Sequence, residues 1–470
     1  MRIGVLGAGA VGAYVGCLVQ DRTPDAEVVL VGRRRFLEQA STGGVVLETV
    51  GEAHPSVQIE GSELRATESV DELEGCEVVL VAVKSTATAQ VAKQLAAVAE
   101  RGGFPAGALV LSLQNGVSNG RVLAKELQPH GVCVLPCMVN FNVVWSSYCD
   151  GTADAVRIRR CTRPKLGLPC IRVQNLPRKS GMEEEEENRS GVTALPTDAH
   201  RATLGRAVVA LRADDALTVS LTDDIRDVLY SKLLINLQSA VNALSRLPVP
   251  EMLSQRGYRM AWRGLILEAL QVYKAAGIRP CAPYFAILPY LLAAPDWAYN
   301  LLAKVLFPLD AQCKSSMLQD IEAGRRTEVS VLNGEIVRLA KENDMKRRLI
   351  GGQVRQSATT STDEEGSSSE GSCEGLEGMT PNEFGSATRV VAAVRGGWRF
   401  VLRGWSSSSG DVVRGVNCPG APLNGAIVEL IEQLEQGMTP GGRMEPDELW
   451  FTMLEMAYGD STFGEHRPGS

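Results

Sequence analysis

The stretch that decides the fold is MRIGVLGAGAVGAYVGCLV, residues 1–19. A short apolar strand runs into the glycine-rich sequence GAGAVG at 7–12, and an apolar helical run follows at once. A glycine pattern alone is weak evidence, but this one stands where a strand hands over to a helix. We therefore expect an α/β protein that begins with a Rossmann-type dinucleotide-binding domain.

The three glycines of this segment, which we call the glycine turn, have separate roles. Gly7 permits the tight turn, Gly9 lets the backbone approach a pyrophosphate, and Gly12 lets helix and strand pack closely. The N–H groups at the start of the helix then face the phosphates. We expect every residue of the turn to contact the cofactor: Gly7, Ala8, Gly9, Ala10, Val11 and Gly12.

Composition limits the function classes. The 470-residue chain is long enough for two or three domains, and 44% hydrophobic residues give each a core. Its 48 basic and 55 acidic residues are spread out, so we expect no nucleic-acid partner.

The 11 cysteines include no CxxC pair, so we expect reduced thiols, no metal site and a cytoplasmic protein. The apolar run 284–309 is interrupted by Pro289, Pro295, Asp296 and Lys304, which argues against a membrane span.

The turn after the second predicted strand indicates which nicotinamide cofactor is used. The strand at 27–31 is followed by GRRR at 32–35. An NAD enzyme usually places a carboxylate here for the ribose 2′-hydroxyl, whereas a 2′-phosphate favours guanidinium groups. The arginines therefore favour NADP(H), with Arg33 the first candidate and Arg34 the next. A solvated basic turn is the alternative interpretation.

Two polar residues follow buried strands. Lys84 comes after the strand at 76–83, and Asn115 follows the strand at 108–113. In a parallel α/β sheet the ligand lies beyond the carboxyl ends of the strands. We expect both side chains to point at the cofactor cleft, although a polar loop residue without a function is the alternative.

Composition divides the chain into five parts. These are a Rossmann-type domain at 1–222, a mainly helical substrate and catalytic domain at 223–345, a low-complexity insertion at 346–414, the end of the helical domain at 415–440, and a tail at 441–470. Within the first part, 146–200 contains five consecutive glutamates, so we expect an irregular insertion there. The 346–414 stretch can bury little apolar surface, so it is either a disordered insertion or a gene-model artefact such as translated intron. We expect the tail to be frayed.

A long helix is predicted over 223–245. Its apolar positions face a core, and Lys232 and Asn236 lie within about 40° of each other on another face. Asn242 would be turned roughly 80° away from Lys232 in a straight helix. Asn242 therefore reaches the same site only if the helix bends.

Another predicted helix, 311–323, carries Ser315 and Ser316 and ends before Gly324, which suits the position after a helix cap. Thr327 can cap the next helix and place Glu328 in its first turn, beside the positive end of the helix dipole. Simple charge complementarity at a helix start is the alternative explanation for Glu328.

Taken together, five stretches resemble the ketopantoate reductase (2-dehydropantoate 2-reductase) family. They are GAGAVG at 7–12, VAVKS at 81–85, LQNGV at 113–117, SKLLINLQSAVNALSRLP at 231–248 and KSSMLQDIEAGRRTEVSVLNGEI at 314–336. The last is the most specific. GVNCPGAPLN at 415–424 also looks like the family's segment after its penultimate helix.

The resemblance implies NADPH-dependent reduction of 2-dehydropantoate to pantoate, in pantothenate and coenzyme A biosynthesis. Lys232 then matches the proton donor, and Lys84, Asn115 and Glu328 match cofactor and active-site positions. The positions that match substrate contacts are Lys232, Asn236, Asn242, Ser315 and Ser316. Gln238 and Ser239 depart from the pattern, because many relatives have two asparagines there. A homodimer is one assembly that the resemblance permits.

Two rival functions stay open at this stage. One is reduction of a different 2-oxo acid by an NADP-dependent enzyme of the same shape. The other is a non-catalytic NADP-binding module, although the presence of Lys232, Ser316 and Glu328 together argues against it. None of the four histidines lies in a site-like stretch, so Lys232 is the expected acid.

Overall fold

The computed structural model describes residues 1–49, 57–145, 155–161, 169–176, 196–212, 217–281, 284–306, 311–358, 421–437 and 443–458. The chain separates into two compact units, Met1–Ala340 with Ala421–Ser470, and Lys341–Gly420. The first unit contains both of the sheets described below.

The described strands form one large and one small sheet. Their bounds are β1 (Arg2–Leu6), β2 (Glu27–Val31), β3 (Val45–Thr49), β4 (Val57–Ile59), β5 (Arg65–Thr67), β6 (Val78–Val81), β7 (Leu109–Ser112), β8 (Cys133–Val139), β9 (Val143–Trp145), β10 (Val156–Arg160), β11 (Ile171–Gln174) and β12 (Val219–Thr222). The large sheet has the order β12-β11-β8-β7-β6-β1-β2-β5, and the small sheet has the order β4-β3-β10-β9.

Six neighbouring strands of the large sheet, from β5 to β8, are parallel. Their order is the doubly wound order of dinucleotide-binding folds, with the reversal between β1 and β6. The loops after β1 and β6 therefore border the ligand crevice. The sequence-based prediction of a Rossmann-type domain is confirmed. The strand β11 is antiparallel to β8, and β12 is parallel to β11.

Five described helices accompany these strands. They are α1 (Ala10–Arg22), α2 (Arg34–Gly43), α3 (Thr88–Glu100), α4 (Asn119–Leu127) and α5 (Asp198–Leu211). The central strands are apolar because helices cover both faces of the sheet. All four residues of β6 are at most 1% exposed.

The second half is helical, as predicted. Its described helices are α6 (Ile225–Asn236), α7 (Gln238–Ser245), α8 (Val249–Ser254), α9 (Arg256–Ala275), α10 (Tyr284–Leu292), α11 (Asp296–Leu306), α12 (Ser316–Glu322), α13 (Asn333–Ala358), α14 (Pro422–Glu435) and α15 (Pro446–Tyr458). A single apolar core runs through them, with Tyr258, Leu265 and Tyr273 completely buried on α9. None of the helices in the described part of the chain is long and apolar enough to cross a membrane.

The predicted irregular insertion at 146–200 contains regular structure. The strand β10 pairs with β3 and β9, and β11 pairs with β8 and β12. The last three residues of this range open α5, where Thr197 caps the helix. The prediction of an irregular segment was wrong here because alternating residues such as those of β10 point into a core. The five glutamates lie outside the described residues.

Three helix boundaries differ from the sequence prediction. The helix expected at 223–245 is divided at Leu237 into α6 and α7, and Asn242 on α7 is hydrogen-bonded to Ser315 and Leu247. The helix expected at 311–323 begins only at Ser316, after the cap residue Ser315. Gly324 follows it with a φ of +62°, as predicted for the residue after the cap. The next helix begins at Asn333 and not after Thr327, so Glu328 lies in a turn before it.

The tail is not frayed over the range 446–458. It forms α15, and Leu449 and Met453 on one face of this helix are completely buried. The helix α13 continues to Ala358, past the predicted start of the low-complexity insertion at 346. The rest of that insertion, 359–414, lies outside the described residues.

Glu268 on α9 anchors the segment that follows the insertion to the helical core. The carboxylate of Glu268 on α9 accepts from the backbone N–H groups of Leu423 and Asn424, both at 2.8 Å, and from Asn424 Nδ2 at 2.7 Å. Burial raises the pKa of Glu268, although these hydrogen bonds oppose the shift. The acid thus satisfies N–H groups at the start of α14 that have no acceptor within the helix.

Candidate active site

The glycine turn has the geometry that a pyrophosphate site needs. Gly7 has a φ of +105°, and a Cβ there would lie 2.8 Å from the Val83 nitrogen. A Cβ on Gly12 would lie 2.2 Å from the Gly7 carbonyl oxygen. A Cβ on Gly9, in contrast, would meet nothing within 4 Å. Gly7 and Gly12 are therefore required by protein packing, whereas Gly9 borders open space at the crevice.

The start of α1 supplies donors beside that space. The first hydrogen bond into the helix runs from Ala13 N to the Gly9 carbonyl at 2.9 Å, so the N–H groups of Ala10, Val11 and Gly12 precede it. The N–H groups of Gly7 and Ala8 are different, because both donate to the Val31 carbonyl at 2.9 Å. The first turn of α1 contains no acidic residue. This donor set fits an anionic group.

The arginine turn lies at the end of β2 and the start of α2. Arg34 Nε donates to Glu38 at 2.7 Å, and the backbone N–H of Arg34 donates to Glu68 at 2.9 Å. The Arg33 side chain is exposed and has no hydrogen bond among the described residues. Glu68, which follows β5, is a carboxylate at this turn that the sequence reasoning did not include. Arg33 remains the first candidate for a phosphate contact, and Arg35 at the same turn is exposed as well.

Four of the predicted site residues come together where the loops after β6 and β7 contact the helical half, and we call them the cleft cluster: Lys84, Asn115, Lys232 and Glu328. Lys232 on α6 donates from Nζ to Asn115 Oδ1 at 2.8 Å. The Ser85 backbone N–H donates to Glu328 Oε1 at 2.8 Å. Lys84 Nζ lies 3.9 Å from Glu328 Oε2. These contacts join the loops that follow β6 and β7 to residues of the helical half.

The environment of Lys232 changes its acidity. Burial lowers the pKa of Lys232 to about 8, and the nearby Glu328 carboxylate acts in the opposite direction. Loss of hydration disfavours the ammonium, whereas a neighbouring negative charge favours it. Lys232 is therefore an amine that can give up a proton near neutral pH.

Asp320 is a site residue that sequence reasoning left without a role. It is 2% exposed, and its Oδ2 accepts from Lys84 Nζ at 2.8 Å. Its Oδ1 accepts from Arg325 Nε at 3.0 Å. Asp320 is thus closer to the Lys84 ammonium than Glu328 is. The signal was available, because Asp320 stands within the long motif at 314–336.

Ser315 and Asn242 form a separate pair. The Ser315 N–H donates to Asn242 Oδ1 at 3.0 Å, and Asn242 Nδ2 donates to the Leu247 carbonyl at 2.8 Å. Ser315 Oγ caps α12 by accepting from Leu318 N at 3.2 Å. Asn242 is completely buried. Both side chains are engaged in holding the start of α12, and this internal role is one that the sequence did not indicate.

Asn236 and Ser316 are partly exposed, on α6 and α12 respectively. Neither has a hydrogen bond to the cleft cluster within the described ranges. Asn236 lies one helical turn after Lys232, so the two side chains share a face. Apart from Lys232, the predicted substrate residues therefore divide into a buried pair, Ser315 and Asn242, and a partly exposed, solvent-facing pair, Asn236 and Ser316.

Comparison with known proteins gives consistent matches. Two family models match, "Ketopantoate reductase PanE/ApbA" over residues 3–149 and "Ketopantoate reductase PanE/ApbA C terminal" over residues 224–350, and together they cover more than half of the chain. A 2-dehydropantoate 2-reductase from Archaeoglobus fulgidus is 25% identical over 344 residues, which is 73% of this chain and 91% of that protein.

Solved structures share the fold. A PanE/ApbA family ketopantoate reductase from Ralstonia eutropha JMP134 has a TM-score of 0.53 at 23% identity, over 76% of this chain and 98% of that one. A D-mandelate dehydrogenase in ternary complex with NADH and anilino(oxo)acetate has a TM-score of 0.50 at 16% identity, over 73% and 92%. At these identities the similarity establishes the architecture alone.

Proposed function

Because the chain belongs to the ketopantoate reductase family, we propose that it is an oxidoreductase that uses NADPH to reduce 2-dehydropantoate to pantoate. The observation that supports the proposal most strongly is the 2.8 Å hydrogen bond from Lys232 to Asn115, with Glu328 beside it. This contact joins a titratable ammonium to the loop after β7, at the carboxyl ends of the strands, where a doubly wound sheet binds its ligand. The product would serve pantothenate and coenzyme A biosynthesis.

The glycine turn and the residues after the strands suit a dinucleotide. The open space at Gly9 and the N–H groups at the start of α1 would receive the pyrophosphate. Arg33 would contact the 2′-phosphate, and Lys84 and Asn115 would border the nicotinamide end. When bound, NADPH supplies a hydride to the C2 carbonyl of the substrate.

Lys232 would supply the proton that completes the reduction. A carbonyl that gains a hydride at carbon becomes an alkoxide, and its oxygen must gain a proton. The Lys232 ammonium polarises that oxygen and donates the proton, leaving a neutral amine that solvent reprotonates. Asn115 Oδ1 orients the ammonium by accepting a hydrogen bond from one of its three N–H groups. The pKa of about 8 suits a proton donor at neutral pH.

Glu328 has a supporting electrostatic role. Its carboxylate favours the charged form of Lys232 and so keeps the proton donor loaded. The Ser85 N–H fixes Oε1 at 2.8 Å, so the carboxylate cannot swing away. Its other oxygen, Oε2, is 3.9 Å from Lys84 and is the one that faces a ligand in this proposal.

The substrate would be held mainly by the solvent-facing pair. Asn236 and Ser316 present an amide and a hydroxyl, which suit a carboxylate and a hydroxyl group. Ser315 and Asn242 would act indirectly, because their mutual hydrogen bond positions the start of α12, where Ser316 stands. Orientation of this kind contributes to catalysis by holding the carbonyl near its proton donor.

The test is oxidation of NADPH by the purified full-length protein with 2-dehydropantoate, followed as the fall in absorbance of the reduced nicotinamide. A panel of other 2-oxo acids, including an aromatic one, is measured in parallel, and NADH replaces NADPH in a second series. We expect the highest kcat/KM for 2-dehydropantoate with NADPH. A higher value for another 2-oxo acid would identify a related reductase, which the unusual Gln238 and Ser239 make worth testing. NADPH binding without any turnover would indicate a non-catalytic module.

A further inference from the structure

A buried hydrogen-bond network joins the loops that follow β6 and β7, and Asn119 lies at its centre. The Asn119 side chain is 4% exposed. Its Nδ2 donates to the Asn115 carbonyl at 2.5 Å and to Ser85 Oγ at 3.1 Å. Its Oδ1 accepts from Thr88 Oγ1 at 2.8 Å. Both polar atoms of the amide are therefore used to join the two loops.

The ends of the network determine the direction of each bond. The Asn115 carbonyl can only accept, so Asn119 must direct its NH2 group towards it. Gln114 Nε2 donates to Thr88 Oγ1 at 2.7 Å, so the Thr88 hydroxyl donates onward to Asn119. Ser85 Oγ donates to the Asn115 carbonyl at 2.9 Å while it accepts from Asn119. A buried network in which each member is satisfied specifies one arrangement of the loops.

Asn119 Nδ2 contacts Ser85 and Asn115, and these two residues also hold the proposed catalytic groups. The Ser85 N–H holds Glu328, and Asn115 Oδ1 holds Lys232, both at 2.8 Å. Asn119 makes no hydrogen bond to Lys232 or Glu328. We infer that Asn119 is a positioning residue, which sets the place of the Lys232 ammonium and the Glu328 carboxylate relative to the substrate carbonyl. This inference rests on the proposed function.

The expected consequence of losing Asn119 is a misplaced proton donor. A displacement of about 1 Å in an active site can lower a rate by about a hundredfold. The charge of Lys232 would also respond. Its charged neighbours are Glu328 and, beyond it, Lys84 and Asp320. The Asn115 hydrogen bond favours the ammonium, so loosening it lowers the pKa of Lys232 below its value of about 8.

The test compares Asn119→Ala with Ser112→Ala in the full-length protein. Ser112 is 3% exposed and donates to Gln114 Oε1 at 3.0 Å, at the far end of the same network. Its loss removes a buried hydrogen bond without touching Ser85 or Asn115. Four readouts are taken with NADPH and the best 2-oxo acid: kcat, its pH profile, its solvent isotope effect and the thermal midpoint.

Asn119→Ala is expected to lower kcat by roughly ten- to a hundredfold, to raise the solvent isotope effect and to move the alkaline limb of the pH profile to lower pH. Ser112→Ala is expected to leave kcat within about twofold with the limb unmoved, although its thermal midpoint also falls. The pKa of Lys232 is also measured without turnover, by competitive chemical labelling of its amine over a range of pH. This measurement should show the same decrease in pKa.

Equal kcat values and equal pH limbs in the two variants would overturn the inference, because Asn119 would then be a stability residue only. If Asn119→Ala does not fold, Asn119→Ser is measured in its place. The serine side chain is shorter but keeps one hydrogen-bond donor, so kcat should fall by a smaller factor, with the same shift of the pH profile. Wild-type protein that binds NADPH but reduces no 2-oxo acid would overturn the proposed function, and this inference with it. An active wild type with an unchanged Asn119→Ala overturns this inference alone.

Discussion

The glycine turn and the cleft cluster are built in opposite ways. The glycine turn is six consecutive residues, and its donors are backbone N–H groups. The cleft cluster joins residues from distant segments: Asn115 and Lys232 are 117 residues apart, and Glu328 accepts from the Ser85 backbone N–H, 243 residues away. A site of the first kind depends on local conformation, whereas one of the second depends on how two cores pack. The two regions should therefore fail differently when they are mutated.

The sharpest test of this contrast is Lys232→Ala. It removes the proposed proton donor but leaves the glycine turn intact, so turnover should fall by about two to four orders of magnitude while NADPH still binds. The measurements are kcat with 2-dehydropantoate and the dissociation constant for NADPH by fluorescence. Lys274→Ala, on the exposed face of α9, is the matched control and should change neither. Unchanged turnover in Lys232→Ala would remove this residue from the mechanism.

The glycine turn can be divided by two substitutions that are chemically identical. Gly12→Ala places a Cβ 2.2 Å from the Gly7 carbonyl, so it should destabilise the fold by about 1–3 kcal/mol. Gly9→Ala meets nothing within 4 Å in the protein, so the thermal midpoint should stay close to that of the wild type. The added methyl group should instead weaken NADPH binding by roughly ten- to a hundredfold, because it occupies the space expected for the pyrophosphate.

These two glycines thus separate the packing function of the turn from its ligand function. Thermal unfolding without ligand and NADPH titration are the two measurements. A Gly9→Ala protein that binds NADPH as tightly as the wild type would show that the pyrophosphate does not lie beside the turn.

The pH profile of the wild type tests the cleft cluster without a mutation. A proton donor must be charged to act, so kcat/KM for reduction should be highest below the pKa of Lys232, about 8, and fall as pH rises through it. Above that pKa the fall should be about tenfold per pH unit. In the reverse reaction the neutral amine is the required form, so the dependence should be inverted. A profile that stays flat from pH 7 to about 10 would argue against Lys232 as the acid.

The same contrast explains what sequence reasoning could and could not predict. The strand, turn and helix of residues 1–19 are a local pattern, and the structure confirms them. The apolar face of α6 was also predicted correctly, with Ile225, Val228 and Leu233 buried. The break at Leu237 was expected only as a condition for Asn242, because a helix break between two apolar segments has no local signal here.

Other residues were missed because their partners are remote in sequence. Asp320 contacts Lys84, 236 residues away, and Asn119 contacts Ser85, 34 residues away, so the fold brings these partners together. The tail shows the opposite error. Leu449 and Met453 have the helical spacing that predicts a buried face, so this helix has a local signal although it lies near the end of the sequence.

The smallest expected effect concerns Arg33. This residue lies outside both regions but would contact the 2′-phosphate of the same NADPH molecule. A charge-assisted hydrogen bond at an exposed site is weakened by water and salt, so Arg33→Ala should raise the dissociation constant for NADPH only about three- to tenfold. NADH lacks the 2′-phosphate and should bind unchanged, so the ratio of the two constants isolates the contact. Arg35→Ala, also exposed, is the matched control.

The position of Glu68 gives this experiment its second outcome. Its carboxylate already accepts from the Arg34 backbone N–H at 2.9 Å, so a ribose 2′-hydroxyl could meet an acceptor at this turn. If Arg33→Ala leaves NADPH binding unchanged and Glu68→Ala weakens NADH binding, the turn is built for NAD. If Arg33→Ala weakens NADPH binding alone, and added salt weakens wild-type binding in the same way, the guanidinium is the phosphate contact. Either result concerns affinity only, because a contact remote from the carbonyl changes binding without moving the proton donor.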